Sequence, residues 1–158
     1  MLHSCLAGSL DNDAVPGSYR GTPTFVTGSE YKFPDPEDVP QLMANLISSY
    51  SNAAGRFHPA ESAARFHAGL VTIHPFADGN GRVARLAANT VLIQNSFLPT
   101  SIPPIFRRQY ITATEKSHRD PLPFVEFFSS CCLNNMKDFM RFIRPGGVGG
   151  VKVRDMFE

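Results

Sequence analysis

Apolar and polar residues recur with a helical period along most of the chain. After Pro40, the apolar residues Leu42, Leu46, Ile47 and Tyr50 follow the spacing i, i+4, i+5, i+8, which predicts one apolar face of a helix. Comparable patterns predict helices over residues 59–73, 80–95, 106–118 and 123–143, and a shorter helical fragment over 2–10. Strands do not alternate with these helices, which argues against a parallel α/β fold.

One segment departs from the helical pattern. Residues 24–27 and 30–33 are rich in β-branched and aromatic side chains, and they flank Gly28 and Ser29. Two such runs around a glycine-containing turn predict a short β-hairpin. The predicted fold class is therefore all-α, a compact helical bundle with one short β-hairpin.

Length and composition fit a single domain. The chain has 158 residues, of which 42% are apolar and 18% charged, so it is too apolar for intrinsic disorder. Residues 144–158 are glycine-rich and are predicted to form a tail after a domain that spans residues 1–143. Nothing caps the fragment 2–10 upstream, so we expect the domain to be truncated at its N-terminus.

Charge and cysteine content narrow the possible partners and location. With 15 Lys and Arg against 14 Asp and Glu, the net charge of +1 disfavours direct, sequence-blind nucleic-acid binding. No apolar run approaches the ~18 residues of a membrane span, and the first ten residues do not resemble a signal peptide. The three cysteines lack zinc-site spacing, which predicts a reduced, cytoplasmic protein.

Reactive side chains are concentrated in residues 74–85, His-Pro-Phe-Ala-Asp-Gly-Asn-Gly-Arg-Val-Ala-Arg. This polar stretch joins two apolar helices, which is a favourable position for a site. Gly79, Asn80 and Gly81 open the second helix, where first-turn N–H groups lack partners within the helix and attract anions. The stretch is therefore predicted to cradle an anion.

Side chains around this cradle suit phosphate chemistry. Arg82, Arg85 and Asn89 share one helix face, and guanidinium groups match phosphate oxygens. Asp78 could hold a Mg²⁺ ion beside phosphates, and His74 could take a proton from a hydroxyl near neutral pH. The alternative is a purely structural loop, in which His74 and Asp78 cap helices and the arginines are solvated.

This stretch resembles the signature of the Fic family (filamentation induced by cyclic AMP), His-x-Phe-x-Asp/Glu-Gly-Asn-Gly-Arg-x-x-Arg. Every specified position matches. The resemblance extends to residues 2–20, to the hairpin, to residues 59–73 and to residues 123–125 with the long helix that follows, and so covers roughly residues 1–143. It implies a helical bundle of the Fic type in which the hairpin is a flap.

The resemblance also implies an activity, the transfer of AMP from ATP to a Ser, Thr or Tyr hydroxyl of a target protein, with release of pyrophosphate. Such a protein adenylyltransferase is a nucleotidyltransferase that uses ATP and Mg²⁺ and modifies itself or a target. By position, the resemblance implies His74 as general base, Asp78 as Mg²⁺ ligand, Gly79, Asn80 and Gly81 as anion hole, and Arg82 and Arg85 as phosphate ligands.

The flap is implied to bind the target backbone by strand pairing. Its tip, Val26, Thr27, Gly28 and Ser29, would lie near the nucleotide. Tyr110 resembles a tyrosine that borders the adenine pocket in the family, and Asn89 is grouped with it as a candidate nucleotide-binding residue.

Several alternatives to AMP transfer from ATP stay open. One branch of the family has Lys at the position of Gly81 and transfers phosphate, so glycine here favours AMP transfer, and other members use other nucleotide-linked donors. A non-catalytic nucleotide-binding or interaction module is a further alternative. The family's inhibitory motif Ser/Thr-x-x-x-Glu is absent from this chain. We therefore expect the inhibitory helix to lie upstream in a longer protein or on a partner, unless the enzyme is unrestrained.

Overall fold

The structure, a computed structural model, describes residues 2–10 and 14–143. In chain order, the α-helices are α1 (Val39–Asn52), α2 (Pro59–Ile73), α3 (Asn80–Gln94), α4 (Arg107–Ser117) and α5 (Leu122–Ile143). Short 3₁₀ helices cover His3–Ser9, Pro36–Asp38 and Pro104–Phe106. Helix α2 is central, because it packs against each of the other four α-helices. The prediction of an all-α bundle is confirmed, and the predicted glycine-rich tail lies outside the described residues.

Small side chains bring the two site-bearing helices close together. On α2 and α3, seven of the 15 buried positions are alanines, namely Ala60, Ala63, Ala64, Ala68, Ala84, Ala87 and Ala88. Larger buried side chains then fill the space towards the next layer, chiefly Leu92 of α3 with Phe124 and Phe128 of α5. This packing fixes α2 and α3, and therefore fixes the ends of the loop between them.

Helix ends are set by local backbone chemistry. Pro59 occupies the first turn of α2, while Nδ1 of His58 accepts the N–H of Ala60 at 3.2 Å. Helix α2 ends at His74, which has φ +51°, and α3 is preceded by Gly79 with φ +81°. The polar loop is therefore bracketed by two left-handed residues, and only one of them is a glycine.

The predicted hairpin is present only as a turn. Ser29 N–H donates to the Val26 carbonyl at 3.0 Å, and Gly28 has φ +85°. No strand occurs anywhere in residues 2–10 and 14–143, so the paired strands of the prediction are not confirmed. Backbone donors of the second run are used otherwise, since Glu30 N–H donates to the Glu115 carboxylate and Tyr31 N–H to Oγ of Ser29. We call residues 22–33 the flap.

Two further observations bear on the sequence predictions. Cys131 and Cys132 are buried in α5, and burial raises the pKa of both thiols. Among the described residues, no helix combines the length and the apolar character that crossing a membrane requires.

Candidate functional site

The loop between α2 and α3 is held by buried polar side chains. Oδ1 of Asn80 accepts the Phe76 N–H at 2.9 Å, and Nδ2 of Asn80 donates to the Phe76 carbonyl at 2.7 Å. The Phe76 ring stacks on buried His3 with centroids 3.9 Å apart. Because His3 Nδ1 accepts the Gly17 N–H, its Nε2 carries the proton and donates to the Asp78 carbonyl at 3.1 Å. These contacts hold the loop backbone at Phe76 and at Asp78.

Arg20 joins this loop to the flap. Its guanidinium, in a residue only 5% exposed, donates to the carbonyls of His74 at 2.8 Å, Thr22 at 3.0 Å and Pro34 at 2.6 Å. Burial lowers the pKa of Arg20, and the nearby Asp35 carboxylate partly opposes that shift. Arg20 therefore links the start of the flap, and the residue just after its end, to the backbone of His74, which the sequence predicts to be a base.

His74 is neutral and has one ring nitrogen free to accept a proton. Its Nδ1 lies 3.4 Å from the Val71 carbonyl, which can only accept, so Nδ1 carries the proton and Nε2 keeps its lone pair. Burial lowers the pKa of His74 to about 4 against the raising effect of the Val71 carbonyl, and the charges of Arg20 and His118 lower it further. The ring packs against Phe33 with centroids 4.6 Å apart.

Asp78 and Arg82 form an ion pair beside the loop. Nη2 of Arg82 lies 2.6 Å from Oδ2 of Asp78, and both side chains are about a third exposed. Nη1 of Arg82 also donates to the carbonyl and hydroxyl oxygens of Ser9, at 2.6 and 2.8 Å. The guanidinium is thus held at the N-terminal end of α3, where an anion would meet it.

Arg85 is fixed from the protein core. It donates to the Tyr110 hydroxyl at 3.2 Å, and its guanidinium carbon lies 5.5 Å from the Tyr110 ring centroid. The Tyr110 hydroxyl lies 3.3 Å from Nε2 of His67, whose ring stacks on Phe124. Burial lowers the pKa of His67 to about 3, and the charge of Arg85 contributes to that shift. Nε2 of neutral His67 can therefore accept a hydrogen bond from the Tyr110 hydroxyl. The phenol oxygen then accepts the hydrogen bond from Arg85.

A cavity of about 200 Å³ brings His74 and Gly81 together with the flap tip, whereas the other motif residues do not line it, namely Asp78, Gly79, Asn80, Arg82 and Arg85. Its walls include His74, Gly81 and Tyr110 from the bundle and Val26, Thr27, Gly28 and Ser29 from the flap tip. The backbone at Gly81 lies beside two polar groups, because an added Cβ would make ordinary contacts with the Arg85 guanidinium at 3.4 Å and the Tyr110 hydroxyl at 3.5 Å.

Among the predicted residues that do not line the cavity, Asn89 is bonded to a different segment of the chain. Asn89 donates to the Thr100 carbonyl at 3.1 Å and accepts the Thr100 N–H at 2.6 Å. Its amide therefore braces the segment that leads to α4, and it does not line the cavity.

Several residues around the site lie outside the motif that marks it. Sequence reasoning did not single out His3 or Arg20, which hold the loop, nor Glu115, which lines the cavity. No periodicity marks these positions, because their contacts join segments far apart in the chain. The sequence offers no signal at these positions beyond the basic or acidic residue type.

Comparison with known proteins agrees with this geometry. The sequence model of the Fic/DOC family matches residues 1–92. A protein adenylyltransferase Fic from Nematostella vectensis is 40% identical over 143 residues, 89% of this chain and 33% of the relative. One from Aedes aegypti is 38% identical over 133 residues, 82% of this chain and 26% of the relative. The chain belongs to the Fic/DOC family, and it spans about a third or less of the length of these curated relatives.

Solved structures give the same result for the fold. A Fic domain-containing signalling protein from Bacteroides thetaiotaomicron superposes with a TM-score of 0.71 at 28% identity, covering 80% of this chain and 55% of that one. Fic-1 from C. elegans superposes with a TM-score of 0.73 at 26% identity, covering 87% of this chain and 40% of that one. The helical arrangement around the loop is thus shared with other Fic proteins.

Proposed function

We propose that this chain is a protein adenylyltransferase domain that transfers AMP from ATP to a Ser, Thr or Tyr hydroxyl of a protein. The observation that carries the proposal is the neutral, proton-accepting His74 on the wall of a cavity that also contains Gly81 and the flap tip. The relatives named protein adenylyltransferase Fic support it, since they are 35–40% identical to this chain.

In the proposed reaction, Nε2 of His74 accepts the proton of the attacking hydroxyl. The hydroxyl oxygen forms a bond to the α-phosphorus of ATP, and the bond from that phosphorus to the bridging oxygen breaks. AMP stays on the protein and pyrophosphate leaves. A base that is already neutral at pH 7 needs no prior loss of its own proton, and a positioned base typically contributes about 10²–10⁴-fold.

The start of α3 can stabilise the negative charge that develops on the phosphates. The first-turn N–H groups around Gly79, Asn80 and Gly81 have no acceptor within the helix, so they can donate to phosphate oxygens. Arg82 and Arg85 extend from the same helix start and can pair with the phosphates of the leaving group. Restraint of Arg85 by Tyr110 reduces the reorganisation needed to bind them.

Asp78 would hold a Mg²⁺ ion in this scheme. Its carboxylate is the type of oxygen ligand that Mg²⁺ prefers. The described residues contain no group of three or more His, Cys, Asp or Glu side chains that could hold a metal ion. A single carboxylate fits a Mg²⁺ that is shared with phosphate oxygens and water, which is the usual mode with nucleotides. Bound there, the ion would neutralise phosphate charge.

The flap is proposed to receive the protein that is modified, whether that is another protein or a second copy of this chain. A cytoplasmic location is part of the proposal, because Cys131 and Cys132 are buried thiols with raised pKa values, as suits a reducing compartment. Control by an inhibitory helix from another segment or a partner stays a prediction.

The test is a mass measurement on proteins incubated with this chain, ATP and Mg²⁺. Addition of AMP is the expected product, whereas addition of phosphate would indicate the phosphotransferase alternative and nucleotide binding without any adduct would indicate a non-catalytic module. His74→Ala should lower the rate by about 10²–10⁴-fold. His58→Asn is the matched control, because it replaces an exposed histidine and keeps a side chain able to cap α2. Equal rates for His74→Ala and the parent would refute the assignment of the base.

A further inference from the structure

The flap tip is fastened to α4 through one carboxylate. Oε1 of Glu115 accepts the Ser29 hydroxyl at 3.0 Å and the Glu30 N–H at 3.2 Å. Oγ of Ser29 in turn accepts the Tyr31 N–H at 3.2 Å. Three consecutive flap residues therefore depend on a single acceptor, and hydrogen bonds to an ionised acceptor are stronger than neutral ones.

One turn further along the chain, His118 supports the next part of the flap. Its ring stacks on Tyr31 with centroids 4.2 Å apart and an interplanar angle of 13°, and it meets the edge of Phe33 at 5.6 Å. The imidazole is itself anchored, because its Nδ1 lies 3.0 Å from the Thr72 hydroxyl of α2. The side chain is only 5% exposed, so it forms a rigid support.

These contacts lead directly to the proposed base. Phe33 lies between the two imidazoles, 5.6 Å from His118 and 4.6 Å from His74. Thr72, which anchors His118, is two residues before His74 in the chain. The position of the flap and the position of the base are therefore set by one packed group of side chains.

Glu115 and His118 also separate two spaces. Both line the cavity of about 200 Å³ that contains His74, and both line a larger outer groove of about 620 Å³. Across that groove lie Glu30, Tyr31 and Lys32 of the flap. The junction between flap and α4 is thus the boundary between the reacting centre and the surface over which a modified protein would approach.

We infer that Glu115 and His118 are positioning residues that clamp the flap to α4, and that this clamp sets how well a protein substrate is presented to His74. The inference rests on the proposed function for the identity of the substrate, while the clamp itself is a property of the fold. It predicts a specific effect: loss of the clamp weakens use of the protein substrate far more than it slows the chemical step.

Hydrogen exchange tests the clamp without any reaction. In Glu115→Ala, the amide of Glu30 loses its acceptor, and we expect its exchange, followed by NMR, to become about tenfold faster. Glu115→Gln retains an acceptor oxygen and should restore most of the protection. Glu126→Ala, which removes an exposed carboxylate from α5, is the control and should leave the Glu30 amide unchanged. Because the Glu115 side chain is 38% exposed, its variants should fold.

Steady-state kinetics tests whether the clamp positions the protein substrate. The substrate is the protein that the mass measurement identifies as accepting AMP. We expect Glu115→Ala to raise the KM for that acceptor about tenfold, to leave kcat within about threefold, and to be rescued by Glu115→Gln. Unchanged exchange at Glu30 in Glu115→Ala would overturn the clamp, and faster exchange with an unchanged KM would overturn its positioning role. If the parent chain transfers no AMP, the proposed function fails while the exchange result still decides the clamp.

Discussion

Two buried histidines should make the fold sensitive to acid well above the pH at which carboxylates titrate. His67 has its pKa lowered to about 3 and His74 to about 4, in both cases chiefly by burial, against 6.5 for an ordinary histidine. Below pH 6.5 the unfolded chain binds protons at these positions and the folded chain does not. Stability therefore falls as the pH is lowered from 6.5 towards 4 for His74 and towards 3 for His67.

The expected loss can be calculated from these values. At pH 5.0 the solution is about 1.5 pH units below the pKa of a histidine in the unfolded chain. Each unit stabilises the unfolded state by about 1.4 kcal/mol per histidine. Each histidine should therefore cost about 2 kcal/mol of unfolding free energy between pH 7.5 and 5.0, or about 4 kcal/mol together. A loss of that size is a large fraction of the stability of a domain of this length.

Urea unfolding at pH 7.5 and 5.0 measures this loss. His67→Gln removes one of the two groups, so the difference in unfolding free energy between the two pH values should shrink by about 2 kcal/mol. Val91→Ala is the matched control, since it creates a cavity in the core cluster that includes Phe124, on which His67 stacks, and should lower stability equally at both pH values. If His67→Gln retained the full pH dependence of the parent, the account of a buried neutral imidazole would be wrong. NMR of the His67 ring in the parent gives an independent check, because no titration midpoint should be found above pH 5.

Further substitutions test the loop and its supports. Gly79→Ala should destabilise by about 1–3 kcal/mol in urea unfolding, because φ is +81° and the new Cβ would lie 2.9 Å from Cδ2 of Leu10. Arg82→Ala should change unfolding free energy by about 1 kcal/mol or less, as for other partly exposed ion pairs, yet lower AMP transfer at least about tenfold. Arg20→Met should cost about 3 kcal/mol in thermal unfolding, because it leaves three carbonyls without a donor, and an unchanged Tm would contradict that.

Local signals were enough to predict the helices and the loop that joins α2 to α3. Helical periodicity and prolines predicted five α-helices within a few residues of their observed ends, since both reflect interactions along one segment. Glycines 79 and 81 predicted the start of α3 for the same reason. The side chain of Asn80 could not be read this way, because its two hydrogen bonds to Phe76 exist only once the loop has closed.

The conformation of the flap could be predicted only in part from local sequence signals. Gly28 correctly predicted a turn, and the β-prone runs beside it suggested that the strands would pair with each other. In the structure, the Glu30 N–H and the Ser29 hydroxyl donate instead to the carboxylate of Glu115, which is 86 residues away from Ser29 in sequence and 3.0 Å from its hydroxyl in space. A hydrogen bond to an ionised acceptor competes well with a two-stranded ladder, which is marginal by itself. The conformation of the flap therefore depends on a tertiary contact that local sequence signals do not contain.

The ion pair between Asp78 and Arg82 gives the proposed reaction a physical order. In this structure the two charges neutralise each other at 2.6 Å, and Ser9 holds Arg82 on its other side. Binding a nucleotide with Mg²⁺ would replace this pair by two others, a carboxylate with a cation and a guanidinium with a phosphate. No charge would be left unpaired at any stage, so the cost of desolvation is offset as the ligand enters. The prediction that Arg82→Ala affects transfer far more than stability follows from this exchange, because the fold loses one partly exposed ion pair and exposed hydrogen bonds to Ser9, whereas the proposed reaction loses a phosphate ligand.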